Sequence, residues 1–368
     1  KISVDTNYKN PKVFVDFYKY NLPANGSNGQ LTLVYSRDLL VNEIAGLRSN
    51  SAVAESSIQQ KIIRRDDGYY VAAYASSTSL RLKVSDDINA LNWSSAPITG
   101  DADGFQLCVL NSNNEGASLW YEFGRVYYVC NQTNENIIIG DFNGTSDEIA
   151  AQTIQAPSAG NYRLSPNFVF GTDGYGYLSG ASYNTGTGFY NTITRRTAST
   201  CSSATPTACI TGSWDAGLNQ DTGDANIKEG LLSSLANGKM LLAWKNNDDI
   251  KWRKCDSSCS TAGNWSAATD VVTNGVSTAT SSKISLISDR DGFAWLAYYD
   301  GTAIKAQRFV SSSNAWESAV IISAAGTNPS IALIENYVYV TDIESTNILK
   351  IYRCKKDLTN CALYRSLT

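Results

Sequence analysis

The apolar residues of this chain lie in short runs that end at Gly, Asn, Asp or Ser. Residues 239–244 read Lys-Met-Leu-Leu-Ala-Trp, and residues 293–298 read Phe-Ala-Trp-Leu-Ala-Tyr. Such runs, rich in aromatic residues and bounded by turn residues, are typical of β-strands. No long stretch has the spacing of apolar residues that an amphipathic helix requires. The pattern therefore predicts an all-β chain.

A short phrase, Asn or Asp followed by Gly, five residues and then Tyr or Trp, occurs four times. Asn-Gly and Asp-Gly favour tight hairpins because both turn residues accept positive φ. A predicted strand follows each turn, so one hairpin unit is being repeated. The phrases are Asn28-Gly29…Tyr35, Asp67-Gly68…Tyr74, Asn237-Gly238…Trp244 and Asp291-Gly292…Tyr298.

The clearest copies of the unit predict four strands, which we name A to D in chain order. A Trp opens the predicted D strand in four copies. In a weaker copy we place the first turn at Glu115-Gly116, which makes residues 117–121 strand B and residues 125–130 strand C. The clearest copy has its strands at 231–235, 239–244, 250–255 and 265–272, and the D-strand markers are Trp93, Trp214, Trp265 and Trp316.

Four-stranded units that repeat roughly every forty to sixty residues predict a single β-propeller. A pair of β-sandwiches needs no such repeat, and the coils of a β-helix are shorter. Seven blades fit the copies best, with six or eight as alternatives. Residues 1–10 form an N-terminal strand or arm, and residues 11–368 form the propeller. The predicted blades are 11–60, 61–101, 102–156, 157–224, 225–276, 277–326 and 327–368.

The eight cysteines fall into four pairs that are close in sequence. Zinc is disfavoured because His is absent and no two Cys lie two residues apart. Disulfides and an oxidising, extracellular compartment are therefore expected. Five Asn-x-Ser/Thr sequons fit a secreted glycoprotein. The pairs are Cys108/Cys130, Cys201/Cys209, Cys255/Cys259 and Cys354/Cys361, and the sequons are at Asn25, Asn92, Asn131, Asn143 and Asn264.

The charge of the chain limits its partners. The formal net charge is −4, and Lys and Arg form no basic stripe, so nucleic acid is not an expected partner. No apolar run is long enough to span a bilayer. The first residues lack the apolar core of a signal peptide, so we expect a mature chain or one whose signal was omitted.

Residues 251–265, Lys-Trp-Arg-Lys-Cys-Asp-Ser-Ser-Cys-Ser-Thr-Ala-Gly-Asn-Trp, resemble the strand–Cys-x3-Cys–Trp blade ending of secreted microbial propellers. Together with the blade pattern, this makes the chain similar to the sialidase-like propellers, which include sialidases, other glycosidases and non-catalytic lectins. Sialidases carry the Asp box, Ser-x-Asp-x-Gly-x-x-Trp. The most similar segment here, residues 288–295, departs from that motif because Asp291 and Gly292 are adjacent. The spacing of the arginines gives no sign of a carboxylate-binding triad.

The B–C hairpins are where we expect a ligand site, because aromatic platforms beside Asp, Glu and Arg suit sugar recognition. The aromatic residues that end strand B (Tyr35, Tyr74, Trp244 and Tyr298) are interpreted chiefly as packing residues. The predicted ligand-binding residues are Tyr121, Glu122, Arg125, Tyr183, Tyr190, Lys245, Asp248, Tyr299 and Asp300.

No cofactor and no catalytic residue is predicted. Asp101, Asp103, Asp289 and Asp291 suggest structural calcium, but the further ligands of a complete calcium loop are missing, and polar turns explain them better.

These observations predict a secreted or cell-surface binding protein, lectin- or adhesin-like, whose partner is a glycan or a surface protein. A sialidase-like glycoside hydrolase is one alternative. A structural subunit of a sheath, surface layer or filament, which would self-assemble, is the other.

Overall fold

The computed structural model describes residues 2–5, 12–21, 30–40, 62–76, 79–85, 117–131, 137–143, 148–155, 161–184, 189–215, 217–224, 230–273, 275–277, 284–334, 336–344 and 348–367. The strands of these residues form seven antiparallel sheets.

The first three sheets contain β1 Ile2–Asp5, β2 Lys12–Asn21 and β3 Gln30–Leu40; β4 Ile62–Arg64, β5 Tyr70–Ser76 and β6 Ser79–Val84; and β7 Ala117–Glu122, β8 Arg125–Asn131, β9 Ile137–Asn143 and β10 Glu148–Gln155. The fourth and fifth contain β11 Asn161–Phe170, β12 Tyr175–Asn184, β13 Phe189–Thr200 and β14 Leu218–Asp224; and β15 Leu231–Ser234, β16 Met240–Asn246, β17 Asp249–Cys255 and β18 Thr269–Val272. The last two contain β19 Ile284–Ser288, β20 Phe293–Tyr299, β21 Ile304–Val310, β22 Ala315–Trp316 and β23 Val320–Ser323; and β24 Thr327–Ile334, β25 Tyr337–Glu344, β26 Ile348–Lys355 and β27 Ala362–Leu367. A short helix, α1, spans Ala208–Thr211, and 3-10 turns span Ala236–Gly238 and Ala262–Asn264.

The sheets are joined through their first strands. β4 contacts β7, β7 contacts β11, β11 contacts β15, β15 contacts β19, and β19 contacts β24. From the β4–β6 sheet onward, each sheet therefore places its first strand beside the first strand of the next sheet. This is how the blades of a propeller pack around an axis, and the prediction of a single all-β propeller is confirmed.

The prediction of seven four-stranded blades is wrong. Within the described residues, five sheets have four or more strands, and the sheets β1–β3 and β4–β6 have three each. In the first sheet, β2 and β3 pair along their whole lengths as one long hairpin, and β1 pairs with the outer edge of β2. β3 is a single strand of 11 residues, Gln30–Leu40.

The hydrophobic core lies between consecutive sheets. One cluster joins Val169 and Tyr177 of the β11–β14 sheet to Leu242 and Trp244 of the next sheet. Equivalent clusters occupy the other described boundaries. Trp244 is fully buried, and Tyr298 is 3 % exposed, so the packing interpretation of these two aromatic residues is confirmed. Burial also raises the pKa of the Tyr298 hydroxyl to about 12. The side chains of Tyr35 and Tyr74 lie outside the described residues.

The turn glycines have the positive φ that the sequence predicted: 91° at Gly68, 72° at Gly238 and 133° at Gly292. Asn237 also has positive φ, at 59°. An Asp side chain also stabilises some of these turns. Asp173 Oδ1, for example, accepts a hydrogen bond from the Tyr175 amide at 3.2 Å. The turn Asn28-Gly29 lies outside the described residues.

Because neighbouring strands are antiparallel, the blades have two different faces. We call the face with the A–B and C–D turns the A–B face, and the opposite one the B–C face. On the A–B face, the Gly238 amide donates to Thr172 Oγ1 of the preceding sheet at 2.6 Å. On the B–C face, the Ser277 amide donates to the Tyr299 carbonyl oxygen of the next sheet at 3.1 Å.

Three of the predicted disulfides are formed: Cys201–Cys209, Cys255–Cys259 and Cys354–Cys361. All three close C–D connections on the A–B face, and α1 lies within the first of them. Cys130 is also disulfide-bonded, whereas Cys108 lies outside the described residues. In the part of the chain that the structure describes, no helix is long and apolar enough to cross a membrane.

Replacing Trp244 with Ala should lower the free energy of unfolding by about 3–5 kcal/mol, because the fully buried indole fills the boundary between two sheets. Urea denaturation monitored by circular dichroism would measure the loss. Leu363→Ala is the matched control. Its side chain is 52 % exposed, so the expected change is under about 0.5 kcal/mol. Equal losses in the two variants would contradict this account of the core.

Candidate functional site

Six of the predicted ligand-binding residues lie at B–C hairpins, and the side chains of four of them, Lys245, Asp248, Tyr299 and Asp300, are described. Lys245 is the penultimate residue of β16 and is largely buried, at 9 % exposure, and Asp248 lies in the following turn. The main-chain oxygen of Asp248 accepts hydrogen bonds from the amides of Gly275 and Val276. The Asp248 turn therefore holds the connection that leads to the next sheet.

Tyr299 and Asp300 form the equivalent hairpin of the next sheet. The Tyr299 hydroxyl donates to the Gly301 carbonyl oxygen at 2.6 Å. Asp300 Oδ1 accepts from the amides of Thr302 and Ala303, and Oδ2 pairs with Lys305 Nζ at 2.6 Å. Burial raises the pKa of this carboxyl group, but the Lys305 hydrogen bond and the turn amides outweigh burial and hold it well below its usual range. These contacts are those of an Asp that stabilises its own turn.

Tyr183 and Tyr190 are opposite each other in the β12–β13 pair. They flank the B–C connection of their sheet, as predicted, but their side chains lie outside the described residues.

The placement of Tyr121, Glu122 and Arg125 on a B–C hairpin is wrong. β7 is the first strand of its sheet and contacts β4 and β11, so the turn after Glu122 is an A–B turn. The turn at Glu115-Gly116, which was predicted to precede strand B, lies outside the described residues. These three residues therefore lie on the opposite face from Lys245 and Asp300, and the predicted residues do not form one site.

On the A–B face, Glu122 joins two distant sheets. Its Oε2 accepts from Trp120 Nε1 at 3.2 Å and pairs with Arg290 Nη1 at 2.6 Å. Arg290 belongs to the A–B turn of the sheet three places further along the chain. Its guanidinium lies 5.9 Å from the Trp120 ring centroid. This ion pair connects blades that are not neighbours.

Arg125 and Tyr121 are also engaged on this face. Arg125 pairs with Asp141, whose side chain is fully buried. Burial raises the pKa of the Tyr121 hydroxyl, a hydrogen bond with the Asp66 main chain lowers it, and the charge of Asp66 raises it. Arg125 therefore contacts strand C of its own sheet, and Tyr121 lies near the A–B turn of the preceding sheet.

A second kind of cluster recurs on the A–B face and was not predicted. Each cluster contains two defining residues. The first directly follows the A–B turn, and the second lies on strand C, opposite the residue that comes third after the turn. In three of the sheets, β11–β14, β19–β23 and β24–β27, the strand C residue is an arginine, Arg196, Arg308 or Arg353. In each case the guanidinium lies over the aromatic ring that follows the turn.

The Arg196 cluster consists of Tyr175, Arg196 and Asp215. The Arg196 guanidinium carbon lies 4.2 Å from the Tyr175 ring centroid, and Nε is 3.4 Å from Asp215 Oδ2. The Asp215 amide donates to the Arg196 carbonyl oxygen at 2.9 Å. This main-chain bond fixes Asp215 beside the arginine. The side chains of Arg196 and Asp215 are 18 % and 27 % exposed, so solvent reaches both.

The Arg308 cluster consists of Phe293, Arg308 and Glu317. The guanidinium lies 5.2 Å from the Phe293 centroid and donates twice to Glu317, with Nε to Oε2 at 2.8 Å and Nη2 to Oε1 at 2.6 Å. Hydrogen bonding to Glu317 raises the pKa of Arg308 above its ordinary value. The Glu317 amide donates to the Arg308 carbonyl oxygen, just as Asp215 does to Arg196.

The Arg353 cluster consists of Tyr337, Arg353 and Tyr364. The guanidinium carbon lies 4.7 Å from the Tyr337 centroid and 5.0 Å from the Tyr364 centroid.

The sheet between those of the Arg196 and Arg308 clusters, β15–β18, has lysines at both positions. Lys239 and Lys254 pair with Asp256 at 3.3 and 3.1 Å. In the β7–β10 sheet the charges are reversed, with Arg125 after the turn and Asp141 on strand C.

In the Arg196 and Arg308 clusters, an aromatic ring, a hydrogen-bond donor and a carboxylate acceptor lie side by side at the surface. This set can stack on the C–H face of a ligand while binding its hydroxyl groups. The sequence carries a signal for it. An aromatic residue follows the turn glycine in Gly174-Tyr175 and Gly292-Phe293, and an acid follows the D-strand tryptophan in Trp214-Asp215 and Trp316-Glu317.

Among the described residues, no group of three or more Cys, Asp or Glu is arranged to hold a metal ion. Asp289 Oδ1 accepts the amides of Asp291 and Phe293, as a turn aspartate does. Asp101 and Asp103 lie outside the described residues.

Of the sequons, Asn131 and Asn143 end β8 and β9, and Asn264 is exposed in a turn. Asn25 and Asn92 lie outside the described residues.

No protein-family model and no curated protein matches this sequence. Solved structures do match. The BP39L lectin from Burkholderia pseudomallei is similar at 12 % identity with a TM-score of 0.55, over 84 % of this chain and 85 % of that one. The SapL1 lectin, solved with α-methyl fucoside, has 12 % identity and a TM-score of 0.51, over 86 % of this chain and 99 % of that one.

The Aleuria aurantia lectin, described as a six-bladed β-propeller with a novel mode of fucose recognition, has 9 % identity and a TM-score of 0.50, over 84 % of this chain and 96 % of that one. At such low identities these likenesses establish the fold alone.

Replacing Asp300 with Ala should lower the free energy of unfolding by about 1–3 kcal/mol at neutral pH, because two turn amides and Lys305 lose their acceptor. Asp300→Asn keeps an acceptor oxygen and should lose less. Because folding lowers the pKa of Asp300, its contribution is complete above the unfolded pKa, which is about 3.9, and is lost as the pH falls further.

Urea titrations of the wild type and Asp300→Ala from about pH 7 to about pH 2 would follow this loss. The difference in unfolding free energy should narrow below about pH 4. A difference that stayed constant over that range would show that the charge of Asp300 does not stabilise the turn.

Proposed function

We propose that this protein is a secreted or cell-surface, lectin-like propeller that binds neutral sugar residues at the Arg196 and Arg308 clusters. The observation that carries the proposal is the repetition of one chemical set, an aromatic ring, an arginine and a carboxylate, at equivalent positions of two blades. A packing contact needs only the ring. The ion-paired arginine and acid add donors and acceptors at the surface.

The chemistry of a sugar ring fits this set. One side of a pyranose presents C–H groups that stack on an aromatic ring, while its edge presents hydroxyl groups that both donate and accept hydrogen bonds. Arg308 donates and Glu317 accepts, and their two mutual hydrogen bonds hold both side chains in place before a ligand arrives. A site ordered in advance loses less conformational entropy on binding.

The described disulfides support an extracellular location, since such bonds persist in oxidising compartments. Two of the similar lectins were solved with a fucoside or are described as recognising fucose, so fucose belongs among the first sugars to test. We do not propose hydrolysis. It requires two carboxylates on either side of one bond, whereas Asp215 and Glu317 lie in different blades and each pairs with the arginine of its own cluster.

Arg308→Ala should remove one sugar site, and Arg196→Ala should remove another. Isothermal titration with the best neutral monosaccharide from a glycan array would measure the stoichiometry, which should fall by one in each single variant and by two in the double variant. Arg308→Lys keeps the charge but loses the bidentate donor geometry of the guanidinium. Its affinity at that site should fall about tenfold or more, which corresponds to about 1.4 kcal/mol.

Lys251→Ala is the control, because Lys251 lies on strand C of another blade, outside both clusters. It should leave affinity and stoichiometry unchanged. Thermal unfolding of every variant would check that the fold is intact. A double variant that is folded and retains full sugar binding, or a wild type that binds no glycan, would refute the proposal.

A further inference from the structure

The Arg353 cluster repeats the geometry of the other two but lacks their carboxylate. In the β19–β23 sheet, Glu317 lies beside Arg308 and bonds its main chain. In the last sheet the residue opposite Arg353 is Ala362. Alanine offers no acceptor, so the arginine has lost the partner that neutralises it elsewhere.

Tyr364 takes the space beside the arginine. The Arg353 guanidinium lies over both Tyr337 and Tyr364, and the Tyr339 ring meets the Tyr364 ring edge-on with centroids 5.7 Å apart. The guanidinium lies close to both rings, and its N–H edge is the donor surface of the cluster. Arg353 is itself exposed, and Tyr337 and Tyr364 are 36 % and 55 % exposed, so a ligand can reach the guanidinium.

Lys355 adds a second positive charge beside Arg353. Among the described residues, no carboxylate lies within 4.0 Å of the Arg353 side chain. Lys355 is exposed and, two residues further along β26, points to the same side. The nearby acid of the following turn, Asp357, accepts the amide and hydroxyl of Thr359 instead.

We propose that the Arg353 cluster binds the anionic group of an acidic sugar, a carboxylate or a sulfate, while Tyr337 and Tyr364 contact the ring. This inference rests on the proposed function. An arginine with a free N–H edge binds a carboxylate or sulfate through two parallel hydrogen bonds. At Arg308 the built-in acid already occupies that edge through two hydrogen bonds, and at Arg196 the Asp215 carboxylate lies 3.4 Å from Nε, so a second anion is repelled at both. One repeated geometry thus gives two sites for neutral sugars and one site for an acidic sugar.

The test uses matched probes: the methyl glycosides of glucuronate and glucose, and galactose 6-sulfate with galactose. Titrations would be run at low and at high salt. The wild type should bind at least one anionic probe tenfold or more tightly than its neutral parent, and salt should weaken that binding. The pair that shows the preference identifies the anion as carboxylate or sulfate. Arg353→Ala should abolish the preference, and Arg353→Lys should keep part of it.

An exchange of charge gives the sharper test. Ala362→Glu restores the missing acid beside Arg353 and should abolish the preference for the anionic probe without unfolding the protein. Glu317→Ala leaves Arg308 unpaired and should create a preference for anionic probes at that cluster. Thermal unfolding and neutral-sugar binding at the Arg196 cluster would confirm that each variant is folded.

The outcomes separate the two proposals. If neutral sugars bind at Arg196 and Arg308 but no anionic probe is preferred, this inference is wrong and the proposed function stands. A preference that survives both Arg353→Ala and Ala362→Glu also overturns the inference. If the protein binds neither neutral nor anionic sugars, both proposals fail.

Discussion

The packing of one sheet against the next is the constraint on which the rest of this structure depends. Among the residues that the structure describes, the large hydrophobic clusters span two sheets rather than one. The buried side chains of one sheet, such as Val169 and Tyr177, are covered by those of the following sheet, such as Leu242 and Trp244. Because every boundary uses the same strand faces, the turns of successive blades are brought to the same two faces. The repeated clusters on the A–B face follow from this regular stacking.

The register within each blade decides which side chains meet on that face. In the β19–β23 sheet, the antiparallel pairing sets Trp295 opposite Arg308 and Phe309 opposite Trp316. The arginine is therefore beside the residue after the A–B turn and also beside the residue after the tryptophan. A shift by one residue would turn Arg308 to the other side of the sheet. The disulfides at the C–D connections, such as Cys354–Cys361, tie the ends of the same strands.

The sequence was sufficient for the strands and the hairpins but insufficient for the site. The strands of the 230–255 region were predicted to within about two residues, because turn chemistry and apolar runs are local signals. Residues 117–121 were assigned to strand B because Glu115-Gly116 resembled the repeated turn, whereas contact with β4 and β11 identifies them as strand A. Arg196 and Asp215 were missed because they are distant in sequence, and only the pairing of strands brings them together.

Charge compensation explains why similar clusters need not have similar chemistry. Glu317 neutralises Arg308 and turns its donors inward, so the cluster presents a balanced set of donors and acceptors. Lys239, Lys254 and Asp256 form a set with no aromatic ring, and Arg125 and Asp141 form a largely buried pair. The position beside the arginine is Glu317 in one blade and Ala362 in another, so it carries a negative charge in the first and none in the second. A repeated fold can therefore diversify its ligands blade by blade, since a substitution at this exposed edge leaves the packing between the sheets intact.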